Sequence, residues 1–181
     1  SVGKFTIAVD GWGWDSLNPV QMEGVAFLQD YLNVFRLTRD ENHKIVSGLI
    51  TEWSFDGTGL EFTIHPDATW QSGRPITAAD LKWNVEAMKG NIEGFSGHLS
   101  ANRFNEQVKD VEVYDDKHGK FVTTTPTPDF VAYYSGSGYH QVHWGDSEYL
   151  QEVGVDTFED EPSGGGPYTV ELWKPADRIV L

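Results

Sequence analysis

The stretch that decides the fold is "LEFTIHPDATWQSGRPITAADLKWN", residues 60–84. Its first residues alternate: Leu60, Phe62 and Ile64 are apolar, whereas Glu61 and Thr63 are polar. A period of two puts the apolar set on one face, which predicts a half-buried strand. Ser72-Gly73 then signals a turn, and Pro75 forbids regular structure just behind it. In "PITAADLKWNVEAM" Thr77 is followed three residues later by Asp80. That spacing is a helix-start signature: the hydroxyl accepts a bond from a free backbone N–H while the carboxylate reaches back to the cap. Leu81, Val85 and Met88 follow at helical spacing and line one face. Strand, turn and capped helix within 25 residues describe a scaffold joint rather than a chemical centre, and it is expected to lie away from any ligand.

Outward from this joint the chain alternates strands and helices. Towards the N-terminus, "KFTIAV" at 4–9 is a short strand that breaks at Asp10-Gly11 into the loop "GWGWDSLNP". Val25, Leu28, Leu32 and Phe35 sit at i, i+3, i+7 and i+10, predicting an amphipathic helix over about 20–35. Residues 90–107 carry no clear period and are expected to be loop with a short helical piece. From 108, "VKDVEVYDDKHGKFVTTTPTP" predicts a hairpin, with Val111 and Val113 alternating on one arm, Phe121, Thr123 and Thr125 on the other, and "DDKHG" between them. "SEYLQEVG" at 147–154 predicts a helix that Gly154 terminates. Beyond a loop at 159–167, Tyr168, Val170 and Leu172 alternate as a strand, a "KPAD" turn follows, and "RIVL" starts another. A last strand with no closing element suggests a longer protein.

Composition narrows the partners. With 28 acidic against 13 basic residues the formal net charge is -15, which repels phosphates and anionic membranes. Nucleic acid is therefore excluded as a partner. A compact domain of 181 residues can hide about 70% of its unfolded surface, and seven Trp, seven Tyr and ten Phe argue against disorder. The absence of cysteine removes disulfides, thiolate metal sites and cysteine nucleophiles. No run of 18 apolar residues occurs.

No stretch assembles catalytic machinery. His140 and His143 share H-x-x-H spacing, but no third ligand has matching spacing, and zinc needs three or four. "GSG" at 136–138 lacks the strand–elbow–helix setting of a serine nucleophile. "GGGP" at 164–167 precedes a strand signal rather than Lys-Ser/Thr and a helix, so it reads as a sharp turn and not a phosphate cradle. Glu159-Asp160-Glu161 reads as a solvated loop. A carbohydrate-active enzyme with two opposed carboxylates stays open as a rival, as does a protein-binding module with an aromatic patch. Trp12 and Trp14 stand out. They are two residues apart in a glycine-flanked extended loop after the first strand, so they point to one side and can stack on sugars or apolar side chains. Burial of both at the base of the loop is the equal alternative, and Tyr133, Tyr134 and Tyr139 raise the same question.

Four segments in order resemble one family, the extracytoplasmic solute-binding proteins of ABC transporters of the peptide, oligopeptide and nickel type, solute-binding family 5. They are Ser16-Leu17-Asn18-Pro19, "SGLITEW" at 47–53, the deciding stretch at 60–84, and "GGGPYTVELWKPADRIVL" at 164–181. Departures fall at Ile64-His65, where the family has Leu-Arg, at Trp70-Gln71-Ser72-Gly73, where it has a Phe-His-Asp-Gly pattern, and at Gly165, where it has threonine. They put ligand identity in doubt more than the fold. The resemblance implies an α/β fold: part of the first lobe of a two-lobed type II clamp, the second lobe missing. Residues 1–37 would start the first lobe, 38–155 form an inserted small α/β subdomain, and 156–181 return to the lobe. It further implies a non-catalytic receptor, a monomer that needs no cofactor or metal and binds a small solute. Short peptides come first and oligosaccharides second. The solute would pass to the membrane permease of an importer from a periplasmic or extracellular, lipid-anchored site. In relatives the loop before the Ser-Leu-Asn-Pro position runs beside the ligand; here that loop is Trp12, Gly13, Trp14 and Asp15. One lobe alone is expected to bind the solute weakly or not at all.

Overall fold

Leu60, Phe62 and Ile64 do sit on one buried face, at 1%, 3% and 0% exposure. The computed structural model describes residues 17, 37–95, 106–127, 130–133, 144–174 and 177–181. In chain order it shows β1 (Leu37–Arg39), β2 (Ile45–Ser47), β3 (Ile50–Phe55), β4 (Gly59–Ile64), α1 (Ala78–Met88), β5 (Val108–Val113), β6 (His118–Thr123), a single helical turn α2 (Phe130–Tyr133), α3 (Ser147–Asp160), β7 (Leu172–Lys174) and β8 (Arg178–Val180). Strands β3–β4–β6–β5 form one four-stranded antiparallel sheet; β1–β2 and β7–β8 are separate two-stranded ribbons. The class is mixed α/β, as the alternating pattern implies. The strand at 4–9 and the helix at 20–35 lie outside the described residues.

Helix α1 starts where the capping signature puts it. Thr77 is extended (φ -121°, ψ 162°), its hydroxyl accepts from the Asp80 N–H, and the Asp80 carboxylate accepts from the Thr77 N–H at 2.8 Å. Leu81, Val85 and Met88 are buried at 0%, 0% and 2% and pack with the sheet residues Phe62, Val111 and Phe121 in one core. Each such side chain, fully withdrawn from water, contributes roughly 1.5–3 kcal/mol. Phe121 is the hub of an aromatic cluster, with ring centroids 4.9 Å from Phe62, 5.9 Å from Trp144 and 6.4 Å from Phe130. Gly119 makes room for this cluster: a Cβ there would lie 2.5 Å from the Glu112 carbonyl oxygen and 2.7 Å from the Phe62 ring.

Four expectations are corrected. The arm at 108–113 does not bury alternate residues throughout. The register shifts between Val108 and Asp110, so Lys109 is an extra residue and Val108 and Val111 are both buried, while Val113, in unbroken register beyond the bulge, is nonetheless 41% exposed. Thr125 lies past the end of β6. Helix α3 does break at Gly154, as its sequence predicts, but only as a kink. That residue leaves helical geometry (φ 79°, ψ 170°) and the chain then turns back into helix, so Glu159 and Asp160 form its last turn rather than a loop. The final hairpin begins at Leu172, so the alternation from Tyr168 is mostly irregular chain.

The bulge also shapes the sheet edge. The Lys109 carbonyl accepts from the Lys89 ammonium at 2.8 Å, and the Val111 carbonyl from Lys82 at 3.0 Å. Lys82 also pairs with Asp110 at 2.9 Å, which holds that carboxyl below its ordinary range. Burial lowers the Lys89 ammonium from its ordinary value. Both lysines belong to α1 or its C-cap, so the helix covers one face of the sheet and caps its edge.

Candidate functional site

Trp12, Gly13, Trp14 and Asp15, the candidate ligand loop, lie outside the described residues, as do Tyr134, Tyr139, His140 and His143. Leu17, just beyond the loop, is buried at 1%.

What the described residues do assemble is a polar joint around Arg74. Pro75 and the turn before it set this side chain between the starts of two helices. Asp80 is the third residue of α1; Asp146 is the cap of α3, with its side chain accepting from the Tyr149 N–H. Arg74 grips Asp80 with both terminal nitrogens, one of them at 3.1 Å, and grips Asp146 through Nε at 3.2 Å and a terminal nitrogen at 2.7 Å. Asp80 is 2% and Asp146 1% exposed; the Arg74 side chain is 21% exposed. The remaining acceptor positions are filled. Ser147 and Thr77 hydroxyls donate to Asp80, the latter at 2.8 Å, and the Ser72 hydroxyl donates to Asp146.

Each carboxylate stands at the positive end of a helix dipole, where a negative charge is favoured. Burial pushes the Asp80 carboxyl up, but the Arg74, Ser147 and Thr77 donors outweigh it and hold it below its usual value. Burial opposes the Arg74 charge too, yet the two carboxylates hold its proton more tightly than usual. Buried Asn84 completes the joint: its amide donates to the Asp80 carbonyl (2.9 Å) and the Gly145 carbonyl (3.0 Å) and accepts from the Gly145 N–H (3.0 Å).

This arrangement locks structure and offers little chemistry. Acid–base work on a glycosidic bond needs two carboxyls facing each other across open space. Asp80 and Asp146, the buried carboxylates among the described residues, instead share one guanidinium in a closed network. Among the described residues no three His, Asp or Glu side chains gather in a metal-binding group, and no helix is long and apolar enough to cross a membrane.

The glycine-rich segment at 163–168 is tied to the same joint. The Ser163 carbonyl accepts from the Asp146 N–H at 3.2 Å, and the Gly164 carbonyl from the Gln71 N–H at 2.8 Å. The Gln71 side chain accepts from the Gly164 N–H at 3.1 Å and donates to the carbonyls of Gly166 (3.3 Å) and Tyr168. Sequence reasoning placed the scaffold joint but missed Arg74, Asn84, Asp146 and Gln71 as its bonding residues. The one available signal was Asp146 standing before "SEYL", a helix-cap residue in the right place.

Similar proteins agree with this architecture. The chain is 26% identical to the dipeptide-binding protein DppE of Bacillus subtilis over 97% of its own length and 32% of the relative's. It is 25% identical to the peptidoglycan-binding protein YepA of Agrobacterium fabrum over 98% of its length and 30% of the relative's. It thus spans about a third of the curated relatives it matches. In fold it resembles the dipeptide-binding protein from Pseudoalteromonas sp. SM9913 in complex with Met-Leu, with a TM-score of 0.75 at 16% identity, covering 91% of this chain and 36% of that one. It also resembles NikZ from Campylobacter jejuni in complex with Ni(L-His), with a TM-score of 0.68 at 23% identity, covering 88% and 31%. The chain therefore carries an α/β fold that matches about a third of such type II periplasmic-binding-protein-like structures. Residues 44–181 match the model for "Bacterial extracellular solute-binding proteins, family 5 Middle", and the chain belongs to that family.

Proposed function

We propose that this chain is part of the non-catalytic receptor of an ABC importer, and that the receptor binds short peptides. The observation that carries this reading is the match along 97% of the chain to a protein named for dipeptide binding. The closed Arg74 joint is consistent with a scaffold serving recognition elsewhere. In this reading residues 1–37 begin the first lobe, 38–155 are the inserted subdomain, and 156–181 return to the lobe. Trp12, Gly13, Trp14 and Asp15 line the cleft: their backbone pairs with the peptide as an added strand, and the two indoles offer apolar faces to its side chains. The receptor works as a monomer outside the cytoplasmic membrane, in the periplasm or tethered by lipid, and delivers to a membrane permease. One relative is named a periplasmic murein peptide-binding protein, at 30% identity over 40% of this chain.

A second reading, a saccharide-bearing ligand, is favoured by the relative named for peptidoglycan, since tryptophan pairs also stack on sugar rings. Calorimetry on the full-length protein with panels of di- to pentapeptides, oligosaccharides and a nickel–histidine chelate separates the readings. Peptide binding that Trp12→Ala and Trp14→Ala both weaken is the expected result. Binding of the chelate alone would sink both.

A further inference from the structure

Gln71 makes a set of bonds that few side chains could reproduce. Residues 163–168 hold three consecutive glycines and no regular structure, and they lead into the β7–β8 hairpin. That hairpin is hydrogen-bonded to no strand of the four-stranded sheet. Gln71 presents one acceptor to the Gly164 N–H and two donors to the Gly166 and Tyr168 carbonyls, while its own N–H holds the Gly164 carbonyl. An amide supplies this mixture of donor and acceptor; a carboxylate of the same shape has no donor, and neutral imidazole has only one. Asparagine, one carbon shorter, would not span the same loop.

We propose that Gln71 is the positioning residue that orients the β7–β8 segment against the sheet, and through it the wall of the ligand cleft. The second half rests on the receptor reading above, in which 156–181 belong to the first lobe and the sheet to the inserted subdomain. The turn carrying Gln71 is itself anchored by the neighbouring Arg74 joint, so the clamp stands on rigid ground. Glycines at 164, 165 and 166 leave the loop little conformational preference of its own. Its shape is then imposed by what holds it.

The test is hydrogen exchange by mass spectrometry together with peptide calorimetry on the full-length protein, comparing wild type with Gln71→Glu, Gln71→Ala and Gln71→His. Glu is isosteric and places carboxylate oxygens against two carbonyls, so a residue that merely filled space would tolerate it. We expect amide exchange across 163–168 to rise about tenfold or more in the Glu and Ala variants and less in the His variant, with β3, β4 and β6 protected as before. Affinity for the best peptide should fall in the same order. Unchanged loop exchange in Gln71→Glu overturns the clamp itself. A loosened loop with unchanged affinity overturns its link to the cleft. A wild-type protein that binds no peptide refutes the receptor reading instead, while the exchange measurement still decides whether Gln71 holds the loop.

Discussion

Replacing Arg74 by methionine keeps the length of the side chain and removes its charge. Two carboxylates, exposed by only 2% and 1%, then lose the cation they share. Breaking a buried ion pair by removing one partner costs about 3–5 kcal/mol, because the remaining charge is left uncompensated. Here Asp80 keeps donors from Ser147 and Thr77, and Asp146 keeps Ser72, so the lower end applies, about 3 kcal/mol. In a chain of this size 1 kcal/mol moves the midpoint by about 2–4 °C, giving a loss of about 6–12 °C. The pH dependence carries a sign. In the wild type the Asp80 carboxyl is held below its ordinary value. Its stabilisation is therefore complete above the unfolded value near ~3.9 and is lost as pH falls through the depressed folded value. Without Arg74 that carboxyl loses a partner that lowers it and rises from its wild-type value, so the variant gains relative stability on acidification. Calorimetric melts of wild type and Arg74→Met at pH 7 and pH 4.5 should show a deficit that shrinks at the lower pH. A deficit under about 2 °C at pH 7, or one equal at both pH values, would refute the argument.

Other perturbations probe separate features. Gly119→Ala forces a methyl against the Glu112 carbonyl and the Phe62 ring and should cost about 1–3 kcal/mol in urea denaturation; a neutral result would mean that the Phe62–Phe121 cluster yields freely. Gly154→Ala meets no atom within 4 Å, so its effect is conformational. In an ordinary helix Ala would stabilise by about 1 kcal/mol, whereas at φ 79° it should destabilise by about 1–3 kcal/mol, and the sign of the change decides. Raising sodium chloride from 0.1 M to 1 M cuts the screening length from about 10 to 3 Å. With a net charge of -15 self-repulsion should fall and the melting midpoint rise; a lowered midpoint would show that the internal ion pairs outweigh the surface field.

Local periodicity was the most legible part of the fold. Strand β4 and helix α1 show their buried faces in simple spacing, and the Thr77–Asp80 cap needs only a three-residue offset. The breaks in period were hidden. A pattern of alternate residues assumes an unbroken register, so nothing marked Lys109 as an extra residue. Glycine ends many helices, and Gly154 gave no sign that the chain would resume its helix. The polar joint was hidden for another reason: Arg74 meets Asp146 across 72 positions and Gln71 meets Gly164 across 93. In one sequence without relatives beside it, such partners are one aspartate or glycine among many. Order of segments is more telling than single residues, since four motifs in sequence point to the family without any of their contacts.

The capped edge of strand β5 bears on how large this sheet can grow. An uncovered edge is a template on which any extended segment, including one from a second molecule, can continue the ladder. To do so at β5 a newcomer would have to displace two ammonium groups from the Val111 and Lys109 carbonyls and match a register already offset by the bulge. Two of only 13 basic residues in a strongly acidic chain are committed there. Among the described residues no strand lies beyond β5, and two lysines of the helix and its cap hold carbonyls there that a further strand would need.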